Sequence, residues 1–188
     1  MASTFPTALD TFTNPTGTSL LTSPDHALQH SDINDAVEAL EAKVAIGNTV
    51  LGKYTAYTPT WVGLTVGNGT VTTAYARVND FVHYFGQVVF GSTTTITGAV
   101  SVSLPINLDA NIATMTRALL GIVMMRDSSS GAPFVGNGTV STGSATTALI
   151  EVSNATGTYL ANNSLSSTVP MTWAVGDRLI WNLYYKAA

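Results

Sequence analysis

The side chains that could carry acid–base or metal chemistry are three histidines and eleven acidic residues, and the chain has no cysteine. His26 and His30 stand four residues apart, the spacing at which two imidazoles on one helix face can share a metal ion. Further ligands would have to come from other copies of the chain around an axis, where rings of imidazole could hold a metal, or an anion when protonated. We favour a pair of axial polar layers that fixes the register of a helical bundle, and we predict no metal and no cofactor.

The second half of the chain offers little for catalysis. Its five acidic residues belong to no catalytic motif: Asp80, Asp109, Asp127, Glu151 and Asp177. Asp127 and Asp177 stand beside Ser or Gly at expected turns, which favours a structural role. A glycosidase needs two carboxylates about 5 to 9.5 Å apart, and a sequence does not reveal that distance. We predict that the protein is not an enzyme, with a glycan-degrading enzyme as the minority alternative.

Composition narrows the class of partner. Charged residues make up 10% of the chain and the net charge is −4, with no run of Lys or Arg. Neither nucleic acid nor an anionic membrane surface is therefore expected as a partner. The N-terminus lacks the pattern of a secretion signal, and the longest apolar run, Ala118 to Met125, is far shorter than the ~20 residues that span a bilayer. We expect a soluble protein with one main domain.

One segment has helical spacing, and it organises the first part of the chain. Apolar residues recur there at intervals of four, three and four, the pattern of a coiled-coil seam: Ile33, Val37, Leu40 and Val44. This predicts a helix over residues 23–46 that Ser23 caps and Gly47 ends. A second start at Ser31 or Asp32 stays open, and it would place both histidines on a separate turn. A short helix with one apolar strip needs a partner, and the natural partner is another copy of itself.

The rest of the chain divides into an arm, a linker and a β-domain. Residues 1–22 show no periodicity and carry Pro6, Pro15 and Gly17, which predicts an extended arm that becomes ordered on a partner. Residues 47–56 are the expected linker. Residues 57–188 alternate with period two between turn signals, and the expected strands are Thr60 to Val66, Thr70 to Val78, Phe81 to Phe90, Val100 to Leu104, Arg117 to Met125, Thr139 to Thr142, Ala145 to Ser153 and Arg178 to Tyr185. The predicted fold class is mainly β: an antiparallel, jelly-roll-like β-sandwich that follows the arm and one oligomerising helix.

Loops of the β-domain are the predicted binding regions. The hexapeptide Val-Gly-Asn-Gly-Thr-Val occurs at residues 66–71 and 135–140, and Asn-Gly predicts the same hairpin turn at both places. Paired ligand loops and a duplication are the alternatives. The candidate binding residues are small and polar, which suits hydrogen bonding to sugars: Asn68, Asp127, Ser129, Asn137, Asn154 and Asn162.

The N-terminal part of the sequence resembles a known class of protein. The opening MASTFPTALDTFTNP and the following DHALQHSDINDAVEALEAKV resemble the N-terminal region of accessory structural proteins of tailed bacteriophages. The closing stretch from Trp173 to Tyr185 resembles the last strand of jelly-roll tips on phage fibres. The resemblance implies a homotrimeric virion protein, assembled in the host cytoplasm, whose residues 1–22 bind another virion protein.

Two functions are consistent with that resemblance. In the first, the protein is a tail fibre or similar surface fibre, and its β-domain adheres to a host-surface glycan. In the second, it is a head decoration protein that stabilises the capsid and has no receptor role. Both need the same arm, helix and tip, so the sequence does not separate them.

Overall fold

A computed structural model describes residues 26–44, 52–141, 143–155 and 159–188, with side chains described up to Leu40 in the first of these ranges. The chain divides into two compact units, Met1–Lys53 and Tyr54–Ala188. The first unit contains the helix α1, His26–Val44, which is continuous, so both histidines lie on the same helix as the apolar seam. The predicted arm, residues 1–22, lies outside the described residues.

The second unit is built mainly of strands. In its described part they are β1 Thr55–Ala56, β2 Trp61–Thr65, β3 Thr70–Val78, β4 Phe81–Val89, β5 Thr95–Ser103, β6 Leu119–Arg126, β7 Pro133–Val140, β8 Thr147–Asn154, β9 Ala161–Ser164 and β10 Arg178–Lys186. They form one antiparallel sheet in the order β1-β3-β4-β10-β6-β7-β8-β5-β2, and β9 pairs with β8. The prediction of a mainly β, antiparallel fold is therefore confirmed.

The sheet must curl, because its two edge strands are consecutive in the chain. Laid flat, the nine strands from β1 to β2 would span roughly 38 Å at about 4.8 Å per strand. The link from Ala56 to Trp61 reaches at most about 18 Å. Curling brings Trp61 of the edge strand β2 against Trp181 of the central strand β10, with ring centroids 5.4 Å apart.

The core lies inside the curl and follows from alternation along each strand. In β10, Leu179, Trp181 and Leu183 are buried while the residues between them face outward. Gly86 on β4 is required opposite Trp181, because a Cβ there would collide with the indole ring. Burial also raises the pKa of the Tyr84 hydroxyl, so this core tyrosine stays neutral.

The structure differs from the sequence prediction in several elements. β5 begins at Thr95, five residues before the predicted start at Val100. A one-turn helix, α2 Ala110–Ala113, was not expected; Asp109 caps it by accepting a hydrogen bond from the Asn111 amide. The second hexapeptide lies inside β7 and not at a turn.

The two identical hexapeptides differ because their surroundings differ. Gly67 and Asn68 form a turn between β2 and β3, and Gly67 has a φ of +58°. The turn does not close the predicted hairpin, because β2 pairs with β5 while β3 pairs with β1 and β4. In β7, by contrast, Asn137 pairs with Ile122 on one side and Glu151 on the other. Pairing on both sides provides hydrogen-bond partners for the backbone N–H and C=O groups, so the segment stays extended.

Candidate binding surfaces

The seam of α1 is a candidate surface for self-association. Ile33, Val37 and Leu40 are 49%, 47% and 50% exposed, and they share one helix face at intervals of four and three. The side chain of Val44, the fourth predicted seam residue, lies outside the described part of the chain. An apolar strip of this kind is stabilised when other helices cover it.

The two histidines of α1 contact each other within one helix. Their Nε2 atoms are 3.1 Å apart and their ring centroids 4.5 Å, with the rings edge to face. Both side chains are exposed. In this hydrogen bond the Nε2–H of one imidazole donates and the Nε2 lone pair of the other accepts.

Asn68, the first predicted loop residue, lies at the expected turn but uses its side chain internally. Its Oδ1 accepts hydrogen bonds from the Thr93 amide (2.9 Å) and hydroxyl (3.0 Å), and its Nδ2 donates to Ser92 (3.0 Å). These bonds tie the β2–β3 turn to the β4–β5 loop. Its main role in the described structure is to join two loops.

Asp127 and Ser129, also predicted as binding residues, form a local turn between β6 and β7. Asp127 Oδ1 accepts hydrogen bonds from the Ser129 hydroxyl (2.6 Å), the Ser129 amide (2.8 Å) and the Ser130 amide (3.2 Å). The hydrogen bonds from Ser129 and Ser130 lower the pKa of Asp127 to about 2. The carboxylate therefore holds the loop in shape.

The other three predicted binding residues were expected in loops, and the structure places them in strands. Asn137 is inside β7, Asn154 ends β8 and Asn162 is inside β9, where all four residues are exposed. β7 and β9 both pair with β8, which brings Asn137 and Asn162 together although they are 25 residues apart in the chain. Asn137 Nδ2 donates to Asn162 Oδ1 at 3.2 Å, so these two side chains form a polar spot on the outer face of the sheet.

A surface that the sequence did not predict lies on the outer face of β4 and β10. It is an aromatic cluster, here called the outer aromatic cluster, made of Tyr54, Phe81, His83, Phe85 and Tyr184. The imidazole of His83 stacks on Tyr184 with centroids 4.3 Å apart and an interplanar angle of 2°. Tyr184 in turn stacks on Phe81 at 5.9 Å. Apart from the partly exposed His83, all members of the cluster are exposed.

Hydrogen bonds fix this cluster in place. Asn182 Oδ1 can only accept, so His83 Nε2 donates to it at 2.6 Å. In the neutral imidazole, Nδ1 then accepts from the Tyr54 hydroxyl at 2.6 Å. With both ring nitrogens engaged and both flanking strands paired, the cluster is pre-organised, which lowers the entropy lost when a partner binds.

Apolar residues of β6 and β7 extend the cluster across the sheet. The register places Phe85, Asn182, Ile122 and Asn137 side by side on four neighbouring strands. Ile122 is 61% exposed, and the same face carries exposed side chains at Leu119, Met124 and Val135. The run Ala118 to Met125, expected to be central or covered by a neighbour, is central in the sheet and still presents an apolar outer face. Exposed apolar side chains grouped on one face make it a candidate interaction surface.

Besides Asp127, two acidic side chains of the β unit are held by hydrogen bonds or an ion pair. Asp177 is buried and accepts hydrogen bonds from the Ala174 amide (2.7 Å) and the Ser128 amide (2.9 Å). The Lys186 ammonium, 2.9 Å away, lowers the pKa of Asp109. Within the ranges that the structure describes, no group of three or more His, Cys, Asp or Glu side chains comes together to hold a metal.

Glu151 is the exception among these acids, because it points to the outer face and is nevertheless fully buried. Its Oε1 lies 2.6 Å from the Arg117 guanidinium, and its Oε2 accepts a hydrogen bond from the Thr139 hydroxyl at 3.0 Å. Arg117 is 55% exposed at its side chain and has a φ of +56°, a region that non-glycine residues rarely occupy. The ion pair thus fixes a strained residue of the α2–β6 connection against β7 and β8.

No helix of the described residues is long and apolar enough to cross a membrane. Comparison of the chain with models of protein families, with curated proteins and with solved structures found no match.

Proposed function

We propose that this protein is a non-enzymatic surface protein of a tailed-phage virion, a homotrimer that is anchored by its N-terminal arm and projects its β unit. The observation that carries the proposal is the seam of α1. Its apolar residues are half exposed on a helix that belongs to a different compact unit from the sheet. Packing three such helices would bury the strip, and the resemblance of residues 1–44 to accessory virion proteins supports the number three.

The β unit is the proposed binding part. Its outer aromatic cluster, the apolar residues of β6 and β7, and the Asn137–Asn162 pair lie on one face of the sheet. Aromatic rings provide contact area with little loss of conformational entropy, and amide groups provide hydrogen bonds. A host-surface glycan is the proposed ligand, and three copies on one axis would convert weak single-site binding into avid attachment.

A jelly-roll-like sandwich is our proposal for the finer architecture of this unit. It is supported by the packing of edge strand β2 over central strand β10, which makes two parts of one continuous sheet face each other.

A second candidate function is a capsid-stabilising head decoration protein with no receptor role. The apolar character of the β6–β7 part of the outer face favours it, because Leu119, Ile122 and Val135 are better suited to another protein than to a sugar. In that case the same face would lie against the shell.

Three measurements on the full-length protein test these proposals. Light scattering at micromolar concentration should give the mass of a trimer, and a monomer mass would refute the assembly.

Cryo-EM of labelled virions should locate the protein on the particle, at the tail for a fibre or on the head for a decoration. Purified trimer should bind host cells without releasing reducing sugar from their envelopes; sugar release would show an enzyme, and lack of binding would favour decoration.

A further inference from the structure

We propose that His26 and His30 form a bidentate binding site for a first-row divalent cation such as Cu²⁺, Ni²⁺ or Zn²⁺ within a single α1 helix. This goes beyond the function proposed above and beyond the sequence prediction, which favoured separate polar layers and no metal. It does not depend on trimer formation, because both ligands come from one chain.

The distance between the two imidazoles is the first argument. Their Nε2 atoms are 3.1 Å apart. Two nitrogens bound to one ion at about 2.0–2.1 Å, with an angle of about 90–110° between the bonds, lie roughly 2.9–3.4 Å apart. The helix therefore already holds the nitrogens at the separation that a shared ion requires.

The chemistry of the pair is the second argument. The two nitrogens now share one proton through an N–H···N hydrogen bond. For both Nε2 lone pairs to face one ion, the donor imidazole would carry its ring proton on Nδ1 instead of Nε2, so neutral imidazoles release no net proton on binding. Binding should weaken in acid, because protons compete with the ion for the same lone pairs. Imidazole nitrogen is a ligand that suits copper, nickel and zinc, and the general order of affinity places Cu²⁺ first.

The exposure of the site sets its character. In a single chain both imidazoles are exposed, so the rings can turn toward a common ion and an ion can reach them from solvent. The pair itself supplies two ligands, and no group of three or more potential ligands is found in the described part of the chain. The other coordination positions are open to water or to a further ligand. Such a site is open and exchangeable, unlike the closed four-ligand sites that hold structural zinc.

The test is titration of the full-length, EDTA-treated protein with Cu²⁺ and Ni²⁺, followed by calorimetry and, for Cu²⁺, by electron paramagnetic resonance. We expect one ion per chain and a spectrum of two coordinated nitrogens. His26→Gln and His30→Gln should each weaken binding by more than about tenfold, the least that loss of even an outer-shell partner commonly costs a metal site. The metal should also raise the thermal stability of the helix by mass action.

Two variants serve as matched controls. His83→Gln removes the only other histidine and should leave the affinity unchanged. His30→Gln combined with Ser31→His keeps three histidines but moves one imidazole to another face of α1, and it should behave like His30→Gln.

Three outcomes would overturn the proposal. They are the absence of binding, an affinity that falls with His83→Gln but not with His30→Gln, and a stoichiometry of one ion per three chains, which would place the ion on an axis between helices. Circular dichroism of each variant without metal checks that α1 still forms.

Discussion

The ion pair between Arg117 and Glu151 allows a prediction whose size follows from the structure. Glu151 has no exposed surface, whereas the Arg117 side chain is 55% exposed. Removing one partner of a fully buried pair costs about 3–5 kcal/mol, and a fully exposed pair contributes about 0–1 kcal/mol. Because this pair lies between the two cases, we expect Arg117→Met to lower the free energy of unfolding by about 2 kcal/mol. The methionine keeps the aliphatic contacts and removes only the charged group.

The assay is urea denaturation followed by tryptophan fluorescence, which the buried Trp181 reports. For a unit the size of Tyr54–Ala188, this loss should lower the thermal midpoint by roughly 5–10 °C. Arg126→Met, at the exposed end of β6, is the matched control and should cost less than about 0.5 kcal/mol. Glu151→Gln should partly rescue Arg117→Met, because the double variant no longer buries an unpaired charge.

A strictly additive double variant, or a loss no larger than that of Arg126→Met, would refute this account of the pair. The backbone offers an independent check. At the positive φ of residue 117, Arg117→Gly should be more stable than Arg117→Ala by about 1 kcal/mol, since both lose the ion pair and only Ala keeps the strain.

Three further predictions concern assembly and pH. Leu40→Asp should dissociate the oligomer, while Asn34→Asp, an exposed position off the seam, should leave the mass by light scattering unchanged. Deletion of residues 1–22 should leave a soluble oligomer that no longer enters particles, so normal incorporation measured by immunoblot of purified virions would refute arm docking. The pKa of Asp127 is lowered to about 2, so its contribution to stability is present above its unfolded pKa near 3.8 and is lost as the pH falls toward 2. The stability advantage of the wild type over Asp127→Asn in urea denaturation should therefore be largest above pH 4 and should shrink toward pH 2.

The sequence was sufficient where a local pattern decides the structure. The alternation in β10, with Trp181 among its inward residues, gave a strand whose observed end differs from the prediction by one residue. The spacing of Ile33, Val37 and Leu40 likewise indicated a helix that the structure contains. In both cases side-chain periodicity and secondary structure agree.

The sequence was insufficient where pairing with neighbouring strands determines the local structure. The Asn-Gly of residues 137 and 138 carries the same turn signal as that of 68 and 69, and only pairing with β6 and β8 makes it a strand. Gly136 and Gly138 fit that pairing because a Cβ at either position would collide with the Glu151 backbone or the Leu183 side chain. Two very short strands, β1 and β9, were not recognised, because two and four residues are too few to show a period.

The candidate surfaces show the same limit. The apolar run Ala118 to Met125 indicated that one strand has two apolar faces. Its outer face lies next to those of His83 and Tyr184 only because the strand order is β4-β10-β6. A single sequence does not give that order. The aromatic cluster could therefore be recognised only after the register was known.

The link between the two edges of the sheet has a mechanical consequence. Tension applied at the N-terminal side of Tyr54 would reach β1 first, and β1 is held to β3 by only two residue pairs, Thr55 with Tyr75 and Ala56 with Ala74. The next contact along the chain is that of Tyr57, whose hydroxyl lies 2.8 Å from the hydroxyl of Ser103 at the end of β5. These contacts would break one after another. The long ladder of hydrogen bonds between β4 and β10 would bear the tension only afterwards. Under such tension the sheet is expected to open first at this edge, while its core stays closed.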